Sequence, residues 1–180
     1  GARGPGPLDH LASSDERGAE RALEPQLILA VTGDDLPWFD GVEYFGRGLE
    51  QAGFKVVNPI GGHAVYVDAR ASVPHLPPAH FPAQSLAVAL YEDIGMRGVE
   101  IGSLMFGRCN LQTGEEFPAS KELVRLALPR RVYTQSHIDY IIECAFGLAK
   151  KAPHLPGYRI IEQAEFLRHF TAKLTRRENS

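Results

Sequence analysis

The chain has 180 residues, of which 44% are hydrophobic and 23% charged, with a formal net charge of −3. That is the balance of one soluble globular domain, with no basic footprint for nucleic acid and no apolar run of membrane-span length. Cys109 and Cys144 belong to no CxxC pair, and the N-terminus has no basic stretch followed by an apolar one, so a reducing, cytoplasmic location is the expectation.

Residues 1–25 are rich in Gly, Ala, Pro, Ser and charge and read as a mobile low-complexity arm, because they can bury too little surface to offset their ordering entropy. Residues 26–180 read as one domain. LILAV at 27–31 fits a buried strand or a helix turn. Asp35 as N-cap and Pro37 in the first turn open an amphipathic helix over 37–52, with Trp38, Val42, Phe45 and Leu49 at helical spacing and Gly53 as its stop. Residues 54–69 are two β-rich runs around a Pro/Gly turn, a hairpin pattern. The proline-rich stretch 71–84 reads as a surface loop. A helix over 85–95 ends at Gly95. Residues 96–107 are strand-like, with Val99 and Ile101 on one face. A polar loop precedes a strand at 123–129. Thr134 caps a helix with Ile138, Ile141, Ile142, Ala145 and Phe146 as its stripe, and Lys150 and Lys151 suit its C-terminal dipole. Strands at 158–163 and 167–174 close the domain, the second with His169 and Phe170 on opposite faces. The mixture predicts an α+β layer: a small, largely antiparallel sheet with helices on one side.

Most polar candidates have an ordinary reading. Gly61 and Gly62 sit between two strands, so they suit a hairpin turn better than a phosphate cradle, and His63 reads as a hydrogen-bonded packing residue. His75 and His80 lack a third ligand. The two cysteines have no His-Asp context. Glu100 and Glu122 are expected at the surface. Arg130 and Arg131 fit a solvated face or a subunit contact. Arg125 is different: it alternates with Val124 and Leu126 in an apolar strand, and a lone buried charge is very costly. Planar pairing with a carboxylate satisfies it best, supplied by an internal acid or by a ligand. His169, beside Phe170 near the chain end, reads by itself as structural.

GGHAVYVDA (61–69), HLPPAHFPAQSLAVALY (75–91), VEIGSLMFGR (99–108), ELVRLALPRRVYTQSHIDYIIE (122–143) and LRHFTAKL (167–174) together resemble the C-terminal part of the tryptophanase-type aromatic amino-acid β-eliminating lyases. The resemblance runs from about Leu36 to Leu174. It implies the small C-terminal domain of the aspartate-aminotransferase-like, fold type I pyridoxal phosphate enzymes. It also implies cleavage of tryptophan, or a similar aromatic amino acid, to indole, pyruvate and ammonia, with potassium supporting the active form. On the matching positions, Arg125 would bind the substrate α-carboxylate. His169 would be the catalytic candidate near the indole side, and Phe170 would pack beside it. The tyrosine phenol-lyase branch has phenylalanine at the position of His169 and arginine at that of Ile101. Ile101 and Val99 therefore imply an apolar pocket suited to indole.

The blocks that carry the cofactor lysine, the cofactor phosphate site and the cation ligands in that family precede these, and none is present. The five lysines, Lys55, Lys121, Lys150, Lys151 and Lys173, have no matching context. The resemblance thus implies a partner chain supplying the cofactor domain, or a homo-oligomer, or a piece of a longer product. Two alternatives stay open: a non-catalytic interaction module derived from such a domain, and a carboxylate sensor built on Arg125.

Overall fold

The computed structural model describes residues 36–110, 112–129, 132–164 and 166–177, with no side chains described over 36–40. The arm, LILAV, Asp35, Arg130, Arg131 and the side chain of Trp38 lie outside the described residues.

Helix α1 (Leu36–Ala52) matches the amphipathic pattern: Val42, Phe45 and Leu49 fall on one face and are 0%, 2% and 1% exposed. Gly53 follows at φ +109°, a conformation that suits glycine alone. The hairpin over 54–69 is only half regular. Val57 donates to the carbonyl of Tyr66 at 2.8 Å, but only the second run forms a strand, β1 (Ala64–Asp68). Asp68 then caps the short α2 (Ala69–Ser72) by accepting from the Ala71 amide. Helix α3 (Pro82–Ile94) starts three residues before the predicted one, because Pro82 occupies its first turn, and it ends at left-handed Gly95 as expected.

The predicted strand over 96–107 is two elements: β2 (Val99–Ile101) and a single turn of helix, α4 (Ser103–Phe106). A two-stranded ribbon joins β3 (Arg108–Cys109) to β4 (Glu116–Phe117). Strand β5 (Leu123–Ala127) leads to α5 (Gln135–Lys151), whose cap is reciprocal: Thr134 accepts from the helix, and the His137 ring accepts from the Thr134 amide. In α5 the buried residues are Ile138, Ala145 and Leu148; Phe146 is 44% exposed, so it does not belong to the stripe. Strand β6 (Tyr158–Glu162) pairs with β7 (Lys173–Arg176). Between them lies a helical turn, α6 (Arg168–Thr171), where one continuous strand over 167–174 is predicted. Leu167 stands at φ +54°, which breaks the extended run and starts the turn.

The main sheet has the order β1-β5-β2, all antiparallel. Its period of two sends Val65, Val67, Val124 and Leu126 inward, each no more than 2% exposed. Burying each such side chain contributes about 1.5–3 kcal/mol. Helices α1 and α3 pack on this inner face and α5 lies against both. Gly48 lets α5 approach closely, since a Cβ there would stand 2.3 Å from Cδ1 of Ile142. The architecture is therefore α+β, with small antiparallel sheets and the long helices on one side of the largest.

Candidate functional site

The outer face of the main sheet carries the polar group that the strand pattern singles out. Arg125 sits directly across from Tyr66 on one side and Val99 on the other; Ile101 lies one row along, opposite Leu123. Alternation along β5 turns Val124 and Leu126 into the core and Arg125 outward, so Arg125 is half-buried and not in the core. Val99 beside it is 44% exposed and Ile101 is half-buried. Of the two partners the sequence leaves open, the internal acid is not seen: among the described residues no carboxylate pairs with Arg125. Its polar partner is His63, whose Nε2 lies 2.6 Å from Nη2 of Arg125. A guanidinium only donates, so the His63 nitrogen facing it accepts and the neutral ring carries its proton on Nδ1. His63 is exposed and engaged with Arg125, which corrects its reading as a packing residue.

The carboxylates expected at the surface are buried. Glu100 and Glu122 are 7% and 1% exposed. Both serve α4. Glu100 accepts from the amides of Leu104 and Met105 at 3.1 and 3.0 Å, while Glu122 accepts from the Ser103 amide at 2.9 Å, the Ser103 hydroxyl and the Ala83 amide at 3.3 Å. The free N–H groups of a helical turn are thus satisfied by two acids, as the dipole favours. Burial pushes Glu100 up from 4.5 to about 7, with the nearby Glu122 charge adding to the effect and the amides and Arg168 opposing it. Glu122 is raised as well, chiefly by burial. Gly102 is required between them, since a Cβ would come within 2.5 Å of Glu122 Oε2 and 2.8 Å of Glu100 Oε1.

At the other end of α4, Arg168 donates from Nε to the Leu104 carbonyl at 3.0 Å, from Nη2 to the Ser103 carbonyl, and from Nη1 to both oxygens of Glu116 at 3.2 and 2.9 Å. His169 and Phe170 follow on the same turn, their ring centroids 3.9 Å apart. Phe170 is 78% exposed, so within this chain it is not a packed wall. No hydrogen bond or ring contact joins His169 or Phe170 to Arg125 among the described residues. The link runs through Arg168 to Ser103, two residues past Ile101. Sequence reasoning missed Arg168, Ser103, Glu116 and the role of His63. The only local signal was the pair of glycines, Gly102 and Gly107, flanking SLMF.

The other candidates stay inert. His75 Nε2 lies 2.9 Å from the Leu155 carbonyl, and burial lowers the pKa of His80. Burial pushes the Cys109 thiol up, which opposes nucleophilic use. Among the described residues no three His, Cys, Asp or Glu side chains are placed to hold a metal ion, and no helix is long and apolar enough to cross a membrane. The residues present do not fit a pyridoxal phosphate site by themselves. All five lysines are exposed, Lys151 pairs with Asp93 at 2.9 Å and Lys173 with Glu162 at 2.6 Å. Gly61 bridges to Ala64 across a turn and leads into no helix that could cradle a phosphate.

No protein-family model matches the chain. It is 58% identical over 131 residues to a tryptophanase of Salinibacter ruber, an alignment covering 73% of this chain and 27% of that protein. A tryptophanase of Rhodobacter capsulatus is 52% identical over 131 residues, covering 73% of this chain and 28% of the relative. A tyrosine phenol-lyase of Symbiobacterium thermophilum is 48% identical over 132 residues, covering 73% and 29%. The chain therefore spans less than a third of the length of each of these relatives. Over 73% of its length it is similar to tryptophanases and to a tyrosine phenol-lyase, which is consistent with a tryptophanase C-terminal portion.

Proposed function

We propose that this chain is the substrate-carboxylate-binding portion of a pyridoxal phosphate-dependent, tryptophanase-type carbon–carbon lyase, active only together with a cofactor domain from another chain or another part of a longer polypeptide. The observation that carries this reading is the Arg125 guanidinium, held by His63 on an open sheet face beside apolar Val99 and Ile101, with no acid of its own among the described residues. A planar guanidinium so placed suits a bidentate α-carboxylate, a pairing that contributes about 1.5–3 kcal/mol. Fixing the carboxylate orients the rest of the amino acid relative to whatever stands opposite. Ile101 and Val99 supply an apolar neighbour for an aromatic leaving group. The cofactor, when supplied, is the electron sink for the elimination. By resemblance alone, His169 stands near the leaving group, with Phe170 beside it, and potassium accompanies the cofactor domain.

Native-source purification, borohydride reduction and intact mass of everything that copurifies test this reading. A companion carrying a reduced pyridoxyl-lysine is the expected result; the unmodified chain purifying alone and inactive would sink it. A second reading, a non-catalytic interaction module, is favoured by the exposed rings of Phe106, Phe117, Phe166 and Phe170, apolar area of the kind that docks on another chain. It differs in requiring no cofactor protein among the partners.

A further inference from the structure

We propose that Arg168 is a positioning residue: by clamping the α6 turn to Ser103, Leu104 and Glu116, it fixes His169 and Phe170 relative to the β2 wall that carries Ile101. The proposal rests on the lyase reading for what the two rings face. The clamp itself stands on the structure of this chain.

Apart from the β6–β7 pairing that begins at Lys173 and the packing of Ala172 next to it, the turn has little else to hold it. Arg168 is the only buried residue of α6, while Phe166, Leu167 and Phe170 on either side are 73%, 65% and 78% exposed. Four residues of helix do not persist without outside support, because nucleation costs more than so few bonds return. The support is the guanidinium. Its Nε and Nη2 meet the carbonyls of Leu104 and Ser103, Nη1 meets both oxygens of Glu116, and its Cζ lies 5.8 Å from the centroid of the Phe81 ring. These acceptors lie in separate directions, and a rigid planar fork reaches them together where an ammonium on a flexible stem does not. Gly107 leaves the necessary room, since a Cβ there would stand 2.7 Å from Nη2.

The same helical turn is tied at its other end. Glu100 of β2 and Glu122 before β5 hold the amides of α4, so α4 is a rigid piece between the main sheet and Arg168. Ile101 precedes this piece by two residues and His169 follows the clamp by one. The two sides of the proposed pocket, distant in sequence, thereby become one unit, and an error of placement in either reaches the substrate.

Arg168→Ala and Arg168→Lys, made in the full chain within the assembly that carries it, test this. Amide exchange at Phe170 and Ala172 is read beside that of core residues such as Val124. Turnover of tryptophan is read beside that of an amino acid with a small alkanethiol leaving group on its β-carbon. The expected result is exchange in α6 faster by about tenfold or more, an unchanged core, and kcat/KM for tryptophan lower by about 100-fold. For the small leaving group the expected loss is less than about threefold, and lysine recovers neither effect. If Arg168→Ala loosens the core, Glu116→Gln is read instead, with the same pattern expected at reduced size. Unchanged exchange in α6, or equal losses on both substrates, overturns the proposal. If the unaltered assembly turns over no tryptophan, the lyase reading fails, and the exchange result alone decides whether Arg168 holds the turn.

Discussion

Nη2 of Arg125 and Nε2 of His63 lie 2.6 Å apart across 62 residues of sequence, on the open face of the main sheet. The contact constrains both side chains: the arginine is aimed, and the imidazole is held in one neutral tautomer. The ¹⁵N spectrum of His63 should show the proton on Nδ1. A proton on Nε2 of the neutral ring would mean that the contact does not form in solution.

On the proposed lyase reading, Arg125→Lys should raise the KM of the assembly for its amino acid by roughly 10- to 100-fold, the equivalent of losing about 1.5–3 kcal/mol of bidentate pairing. Because Arg125 lies on the outer face, the unfolding free energy should change by about 0.5 kcal/mol or less. Steady-state kinetics and urea denaturation of one variant check both halves. A large stability loss with an unchanged KM would show that Arg125 serves the fold.

Stability should depend on pH through Glu100. Its folded-state pKa is raised from 4.5 to about 7, so the native state holds the proton more tightly than the unfolded chain. The associated stability is fully present below 4.5 and is lost as pH rises through about 7. The groups that face it are Glu122, which reinforces the shift, and Arg168, which opposes it. The difference across this window is roughly 3 kcal/mol. Glu100→Gln should flatten the profile of denaturation midpoint against pH; an equally steep slope in the variant would place the titration elsewhere.

Gly102→Ala should destabilise the domain by about 2–4 kcal/mol, because both carboxylates that a methyl would strike are pinned by backbone amides. Thermal unfolding checks it. A loss under about 1 kcal/mol would mean that the acids yield easily.

Leu148→Ala and Phe146→Ala test where the buried face of α5 ends: Ile138 and Ala145 of the predicted stripe are buried, while Phe146 is not. Leu148 is 1% exposed and its truncation should cost about 2–5 kcal/mol. Phe146 is 44% exposed and should cost about 0.5 kcal/mol. Equal losses in urea would contradict the orientation of the helix.

By itself the sequence determined those elements whose signals are local. The apolar spacing of α1, the Gly95 stop of α3, the Thr134 cap of α5 and the alternation around Arg125 each follow from neighbours within about four residues, where the helix and strand periods act. Alternation also set the outward direction of Arg125, even though an apolar strand suggested burial. Only the tertiary structure decided what surrounds each polar group. SLMF is too short to show a period, so its helix became visible only through the two acids at its start and Arg168 at its end. Glu100 and Glu122 read as surface residues because a carboxylate is rarely buried without partners. Their partners are amides and a hydroxyl of a turn formed by other contacts. Likewise, the break at Leu167 turned an expected strand into the turn that carries His169. Burial of charge is settled by what folds against it, and that lies beyond the reach of local pattern.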